Sequence, residues 1–197
     1  MPRKIASQKT RKAIAQRRFR DFKRQEPIFF DSPNKGLLYL VEVAEAIAKK
    51  YPIGELGQRG PKQTEAERKR ECRGAKVLCN EILRISMANE LSPQSPNRAL
   101  FEKAKTILLR IFERTYKAHG DGSRVQLSEP ERELFLQMGK SAFCGLGYAL
   151  RRTCNASIAA LKDAPVTEAR HYLIWSATHL NDMSGRMETE LFQTAQR

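Results

Sequence analysis

Apolar positions along this chain recur at three- and four-residue intervals, and no stretch shows the period of two that a half-buried strand requires. The first clear stripe is Leu37, Leu40, Val41, Ala44, Ile47 and Tyr51. Ser32 and Pro33 stand before it as N-cap and first-turn proline, and Pro52 ends it. The run YPIGELGQRGPK, with three glycines and two prolines, reads as a loop. A second helix opens at Thr64-Glu65-Ala66-Glu67, where a threonine followed three residues later by a glutamate makes a capping box. Its early turns, RKRECR, are too charged to be buried. Its inner face is Ala75, Leu78, Cys79, Ile82 and Ile85.

SPQSPN makes the next turn, and Asn97 caps a third helix with Leu100, Ala104, Ile107, Leu108, Ile111, Phe112 and Thr115 on its apolar face. Gly120 is placed to end it. A second capping box, Ser128-Glu129-Pro130-Glu131, starts a fourth helix that carries Leu134, Phe135, Met138, Ala142, Leu146 and Ala149 inward. Gly139, Gly145 and Gly147 weaken that helix, and close approach of a neighbouring backbone is one reason to tolerate them. The pattern leaves open whether RRTCNASIAALKD continues it. Pro165 closes that segment, and a last helix runs from about Val166 with the stripe Ala169, Tyr172, Leu173, Ser176, Leu180, Met183, Met187 and Leu191. The sequence therefore predicts an all-α fold. Four core helices near 33–51, 65–90, 98–118 and 129–150 form a bundle over 32–152, preceded by an arm over 1–31 and followed by a C-terminal helical extension over 153–197.

Charge changes the picture, because it is unevenly placed. Of a formal net +14 over 197 residues, ten Lys or Arg and a single acid, Asp21, fall between Arg3 and Arg24, which puts +9 there and about +5 in the rest. This arm has helical potential from Thr10 to Arg24 until Pro27 breaks it. It lacks the apolar core of a secretory signal, and its phenylalanines suit docking better than a mitochondrial presequence. No apolar run approaches the roughly 20 residues that span a bilayer. The expected compartment is the cytoplasm.

Catalysis finds no home in the sequence, and the chain is read as a non-enzyme without cofactor or metal. Cys72, Cys79, Cys144 and Cys154 form no C-x-x-C pair and read as small buried residues of a reducing compartment. His119 sits where a cation suits a helix C-terminus. His171 and His179, with Asp182 nearby, are the best metal alternative, but neither histidine has a second ligand at four-residue spacing. GELGQRG and GLGYAL lack the preceding strand and the Lys-Ser/Thr ending of a phosphate loop.

The cations do have chemistry. Lys and Arg that approach a phosphate backbone release its condensed counterions. Arg11, Lys12, Arg17, Arg18, Arg20, Lys23 and Arg24 are the expected phosphate contacts, with Phe19 among them to stack on unpaired bases. A second cluster, Arg68, Lys69, Arg70 and Arg73, spans almost two helical turns and is partly neutralised by Glu67 and Glu71. On the third helix, Lys103, Arg110, Arg114 and Lys117 lie opposite Leu108 and Ile111. No helix-turn-helix, zinc finger or base-reading sheet is present, so phosphate and shape are the expected readout. Nothing in the sequence separates RNA strongly from DNA; RNA is weakly favoured.

The stretch KTILLRIFERTYKAHGDGSRVQLSEPERELFLQMGKSAFCGLGYAL resembles the last two helices of the Avd-like four-helix bundles. These are the accessory variability determinants of diversity-generating retroelements and the related 23S rRNA intervening-sequence proteins. The matching features are the helix Leu108 to Arg114, the Leu127-Ser128 start and the step Met138-Gly139-Lys140. Upstream, Tyr51-Pro52 and Leu56-Gly57-Gln58-Arg59 resemble the family's aromatic-Pro and Leu-Gly-Gln-Arg loop. The resemblance covers about residues 35–152. It implies a basic, non-catalytic accessory subunit that assembles into a homo-oligomeric ring and partners a reverse transcriptase with its template RNA. Two alternatives share the charge and the helices. One is a small subunit of a CRISPR-type effector complex on guide RNA or target strand. The other is a protein-only adaptor whose arm meets an acidic partner.

Overall fold

The computed structural model describes residues 33–53, 64–90, 97–118 and 125–193. Among these residues the fold is all-helical, as the periodicity predicts: α1 Pro33–Lys50, α2 Glu65–Glu90, α3 Arg98–Ala118, α4 Glu129–Gln137, α5 Lys140–Ala160 and α6 Glu168–Glu188. A short π-helical turn, Thr189–Gln193, prolongs α6. No described helix is long and apolar enough to cross a membrane.

The helix starts follow from local chemistry. At α2 the Thr64 backbone N–H donates to Glu67 Oε2 (2.8 Å), and the Glu67 N–H returns a bond to Thr64 Oγ1 (3.3 Å). That is the predicted capping box, and it satisfies two donors that a helix start leaves orphaned. At α6 the Thr167 side chain accepts from Arg170 N (3.1 Å). The Arg170 guanidinium also reaches back to the carbonyls of Leu161 (2.8 Å) and Lys162 (2.9 Å), covering acceptors left open at the end of α5.

Two expectations about architecture are corrected. The fourth helix is two helices, because Gly139 has φ 76°, a conformation only glycine adopts without strain, and the chain turns there between α4 and α5. The Met138-Gly139-Lys140 step is thus a break rather than a helical interior. The second correction concerns residues 153–197. The expected boundary at 152 falls inside the continuous helix α5, and α6 is no extension: it packs on α1, α2 and α5 and touches α3. Tyr172, Leu173, Ala177, Leu180, Met183 and Met187 are all fully buried in it. Its inward stripe must be covered, and α1, α2 and α5 provide that cover.

The remaining stripes face the same core. Leu40, Val43, Ala44 and Ile47 of α1 meet Ala75, Leu78, Cys79, Ile82 and Leu83 of α2. Phe101, Ala104, Leu108, Ile111 and Phe112 bring α3 against α2. Tyr172 ties the end of α1 to α6 by donating from its hydroxyl to the Tyr51 carbonyl (2.7 Å). The helices approach closely at Gly74 of α2, where a Cβ would lie 2.9 Å from Ile47 Cγ2 and from the Tyr172 ring. The short helix α4 is fixed by charge as well as by Phe135. Arg114 of α3 grips Glu131 with two bonds (3.0 and 2.9 Å), and the same carboxylate accepts from the Ser128 N–H (3.0 Å).

Candidate nucleic-acid interface

Arg11, Lys12, Arg17, Arg18, Phe19, Arg20, Lys23 and Arg24 lie outside the described residues. Arg68, Lys69, Arg70 and Arg73 form the first turns of α2, and all four are exposed. Their expected neutralisation is revised. Glu71 does not face the cluster: it is buried against α6, its Oε1 3.6 Å from His171 Nε2. Glu67 is held in the capping box, where the Thr64 hydroxyl and N–H draw its carboxyl below the usual range. Lys69 pairs with Glu65 (2.5 Å), a solvent-screened contact worth little. No ion pair among the described residues engages Arg68, Arg70 or Arg73. The cations of RKRECR lie on its outside, with Glu71 and Cys72 turned inward.

The basic face does not stop at Arg73. Lys69, Arg73, Lys76, Asn80 and Arg84 recur at three- and four-residue intervals, which stacks them along one side of α2. The lower part of that stripe is one wall of a groove of about 780 Å³ between α2 and α3. Lys76, Arg84, Arg98, Lys103, Lys105 and Arg110 line it as cations, with Asn80, Thr106 and Leu109 between them and Glu102 as the one lining acid.

Three of these cations are engaged. Lys76 pairs with Glu113, which also accepts from Lys117 (2.8 Å); the two lysines, Lys117 first, hold its carboxyl down to about 2. Lys105 pairs with Glu102 (2.5 Å). Arg84, almost wholly buried, donates to both oxygens of Glu81 (3.0 and 2.9 Å). Glu81 is further satisfied by the Tyr39 hydroxyl (2.9 Å) and the Asn80 amide (3.0 Å), as a buried carboxylate requires. Arg98, Lys103 and Arg110 have no ion pair among the described residues.

The sequence singled out Lys103 and Arg110 but grouped them with Arg114 and Lys117. Those two are structural, tied to Glu131 and Glu113. It missed Lys76, Arg84 and Arg98, because only the pairing of α2 with α3 joins them to Lys103 and Arg110. The four-residue spacing of Lys76, Asn80 and Arg84 was the available signal.

The cysteines are free thiols. Burial pushes the Cys72 thiol up to about 11 and the Cys154 thiol up to about 12, away from the thiolate form. Cys144 is only half-buried, its Sγ 3.7 Å from Glu188 Oε1. His171 and His179 do not converge. His171 faces Glu71 on α2, while His179 bonds Thr115 Oγ1 (2.9 Å) and stacks on Trp175 (ring centroids 5.0 Å apart). The described residues contain no group of three His, Cys, Asp or Glu able to hold a metal ion. Comparison with protein-family models, curated proteins and solved structures yields no match for this chain.

Proposed function

We propose that this chain is a non-catalytic, nucleic-acid-binding subunit of a cytoplasmic nucleoprotein complex, a basic arm over residues 1–31 attached to a helical body. The observation that carries the reading is the partition of charge, +9 between Arg3 and Arg24 against about +5 elsewhere. Ten cations with one acid among them are a polyelectrolyte segment, and phosphate is the commonest polyanion to match it. The exposed Arg68, Arg70 and Arg73 on α2 support the same reading. Phe19 and Phe22 among the arginines favour unpaired bases, which makes RNA the preferred ligand. The resemblance of residues 35–152 to the Avd-like bundles supplies the partner: a reverse transcriptase with its template RNA, met by a homo-oligomeric assembly.

The test is a salt titration of binding. Full-length protein is expected to bind generic RNA at low salt, with log affinity falling against log salt. Each contact contributes a slope of about −0.7 on single strands and about −0.9 on duplex DNA. Deleting residues 1–24 flattens that slope by several units and leaves the helical circular dichroism intact. Unchanged affinity and slope after the deletion remove the arm from the interface. Binding absent from full-length protein at low salt refutes the reading and leaves an acidic protein as the arm's partner.

A further inference from the structure

We infer that the groove between α2 and α3 is a track for the phosphodiester backbone of an unpaired nucleic-acid strand, separate from the N-terminal arm. This deepens the nucleic-acid reading above and rests on it. The first argument is charge. Six cations line the groove, against Glu102 at the rim and the carboxylates of Glu81 and Glu113 behind it. The excess sits on Arg98, Lys103 and Arg110. Such a concave basic surface draws an anion, and among the described residues only Glu102, Glu81 and Glu113 pair with its cations. Residues 1–32 are strongly basic, 54–63 carry Glu55 against Arg59 and Lys62, 91–96 are uncharged, and 119–124 balance Asp121 with Arg124. That balance of charge favours an external anion as the occupant.

Shape narrows the class. Packed helices lie about 8–10 Å axis to axis, and a double helix is wider than its own major groove of roughly 12 Å, so the furrow between them takes one strand rather than a duplex. From Arg98 to Arg110 the wall on α3 runs about 18 Å at 1.5 Å per residue. At 3.4 Å or more per phosphate that accommodates no more than about five nucleotides. The lining contains no aromatic residue, so stacking is minor there and contact falls on the backbone. Asn80 and Thr106 add hydrogen-bonding groups without base discrimination. The engaged lysines and Arg84 fix the floor, and Arg98, Lys103 and Arg110 meet the phosphates. Upstream along α2, the stripe through Arg73 and Lys69 leads out of the groove.

The experiment uses full-length protein with oligo(dT), oligo(rU) and a duplex of equal length. Arg98→Gln, Lys103→Gln and Arg110→Gln are combined in one variant, with thermal unfolding as the fold control. Loss of three contacts at about 0.7 each flattens the single-strand salt slope by about 2, and at moderate salt affinity falls at least tenfold. Equal losses for oligo(dT) and oligo(rU) support a shared backbone site, and loss confined to one of them names the strand. A variant with wild-type slope and affinity overturns the groove and leaves the arm reading intact. A duplex that binds more tightly and suffers the same loss overturns the single-strand assignment. Wild-type protein that binds no oligonucleotide at low salt overturns groove and arm together. Should the triple variant misfold, acetylation footprinting of unmodified protein decides. Lys103 is protected by oligonucleotide while Lys162, on the α5–α6 turn, is not; unchanged reactivity at Lys103 overturns the proposal.

Discussion

Gly74→Ala tests the packing where three helices meet. Helix propensity alone says that alanine at this interior position of α2 stabilises by about 1 kcal/mol. The surroundings say the opposite. The new Cβ would stand 2.9 Å from Ile47 Cγ2 and from two Tyr172 ring atoms, where ordinary contact begins at 3.4 Å. Both neighbours are pinned: Ile47 is fully buried, and the Tyr172 ring is anchored through its hydroxyl to the Tyr51 carbonyl at 2.7 Å. Relief requires α1 or α6 to move by at least half an ångström or so, and forcing a methyl into a packed core costs about 1–3 kcal/mol. Set against the propensity gain, the net expectation is a loss centred on about 1 kcal/mol, or roughly 2–4 °C in melting temperature for a chain of this size. Gly145→Ala is the internal control, since a Cβ there meets nothing within 4 Å and α5 gains about 1 kcal/mol from alanine. Urea unfolding of the two variants is expected to shift the midpoint in opposite directions at unchanged slope. A Gly74→Ala midpoint at or above wild type refutes the close approach of α1, α2 and α6.

Leu108→Ala removes a side chain only 3% exposed on α3 and is expected to lose about 2–5 kcal/mol; an unmoved denaturant midpoint would place Leu108 on the surface. Glu113 makes acid stability part of the α2–α3 contact. Its carboxyl is lowered from the ordinary 4.5 to about 2 by Lys117 and Lys76, so its contribution is complete above about pH 4.5 and lost as pH falls towards 2. Solvent screening of a group a third exposed reduces that contribution to about 1 kcal/mol. Glu113→Gln should flatten stability against pH by that amount between about pH 5 and pH 2, and a variant with the wild-type pH profile would remove the Lys76–Glu113–Lys117 contact from the account.

The helices were legible because their signals are local. Thr64-Glu65-Ala66-Glu67 caps α2 where the sequence placed it, and most of the stripes on α1, α2 and α3 are buried, although on α1 the buried face includes Val43 and Ala48 and leaves Val41 and Tyr51 half-buried. Even the stripe of α6 was readable residue by residue. Its rank in the fold was not, because a stripe shows that a face is covered and never by which neighbour. Sequence order put α6 last and invited an extension, while its contacts with α1, α2, α3 and α5 put it at the centre. Gly139 shows the complementary difficulty. A glycine inside an apolar period fits a weak spot in one helix as well as a break between two, and the φ of 76° that separates them is a property of the folded chain.

The candidate site was less legible for a related reason: net charge does not tell which cations are already engaged. Lys76, Arg84, Lys105, Arg114 and Lys117 are indistinguishable by residue type from Arg98, Lys103 and Arg110, yet the first five are held by Glu113, Glu81, Glu102 and Glu131. Some of those carboxylates sit three or four residues away on the same helix, as Glu102 does from Lys105, and could be matched in the sequence. Others come from a different helix, as Glu113 does for Lys76 and Glu131 for Arg114, and only the fold reveals them. The pairing works in both directions. Glu71, which composition sets against the Arg68–Arg73 cluster, is withdrawn into the core beside His171, so this face is more basic than its sequence says. Glu113 and Glu131 hold Lys117 and Arg114 at the opposite end of α3, which is correspondingly less basic. Among the described residues, the cations of α2 and α3 without an ion pair therefore collect in the first turns of α2, on Arg68, Arg70 and Arg73, and on α3 at Arg98, Lys103 and Arg110. A polyanion is expected there, and substitutions at Arg114 or Lys117 should alter stability before they alter binding.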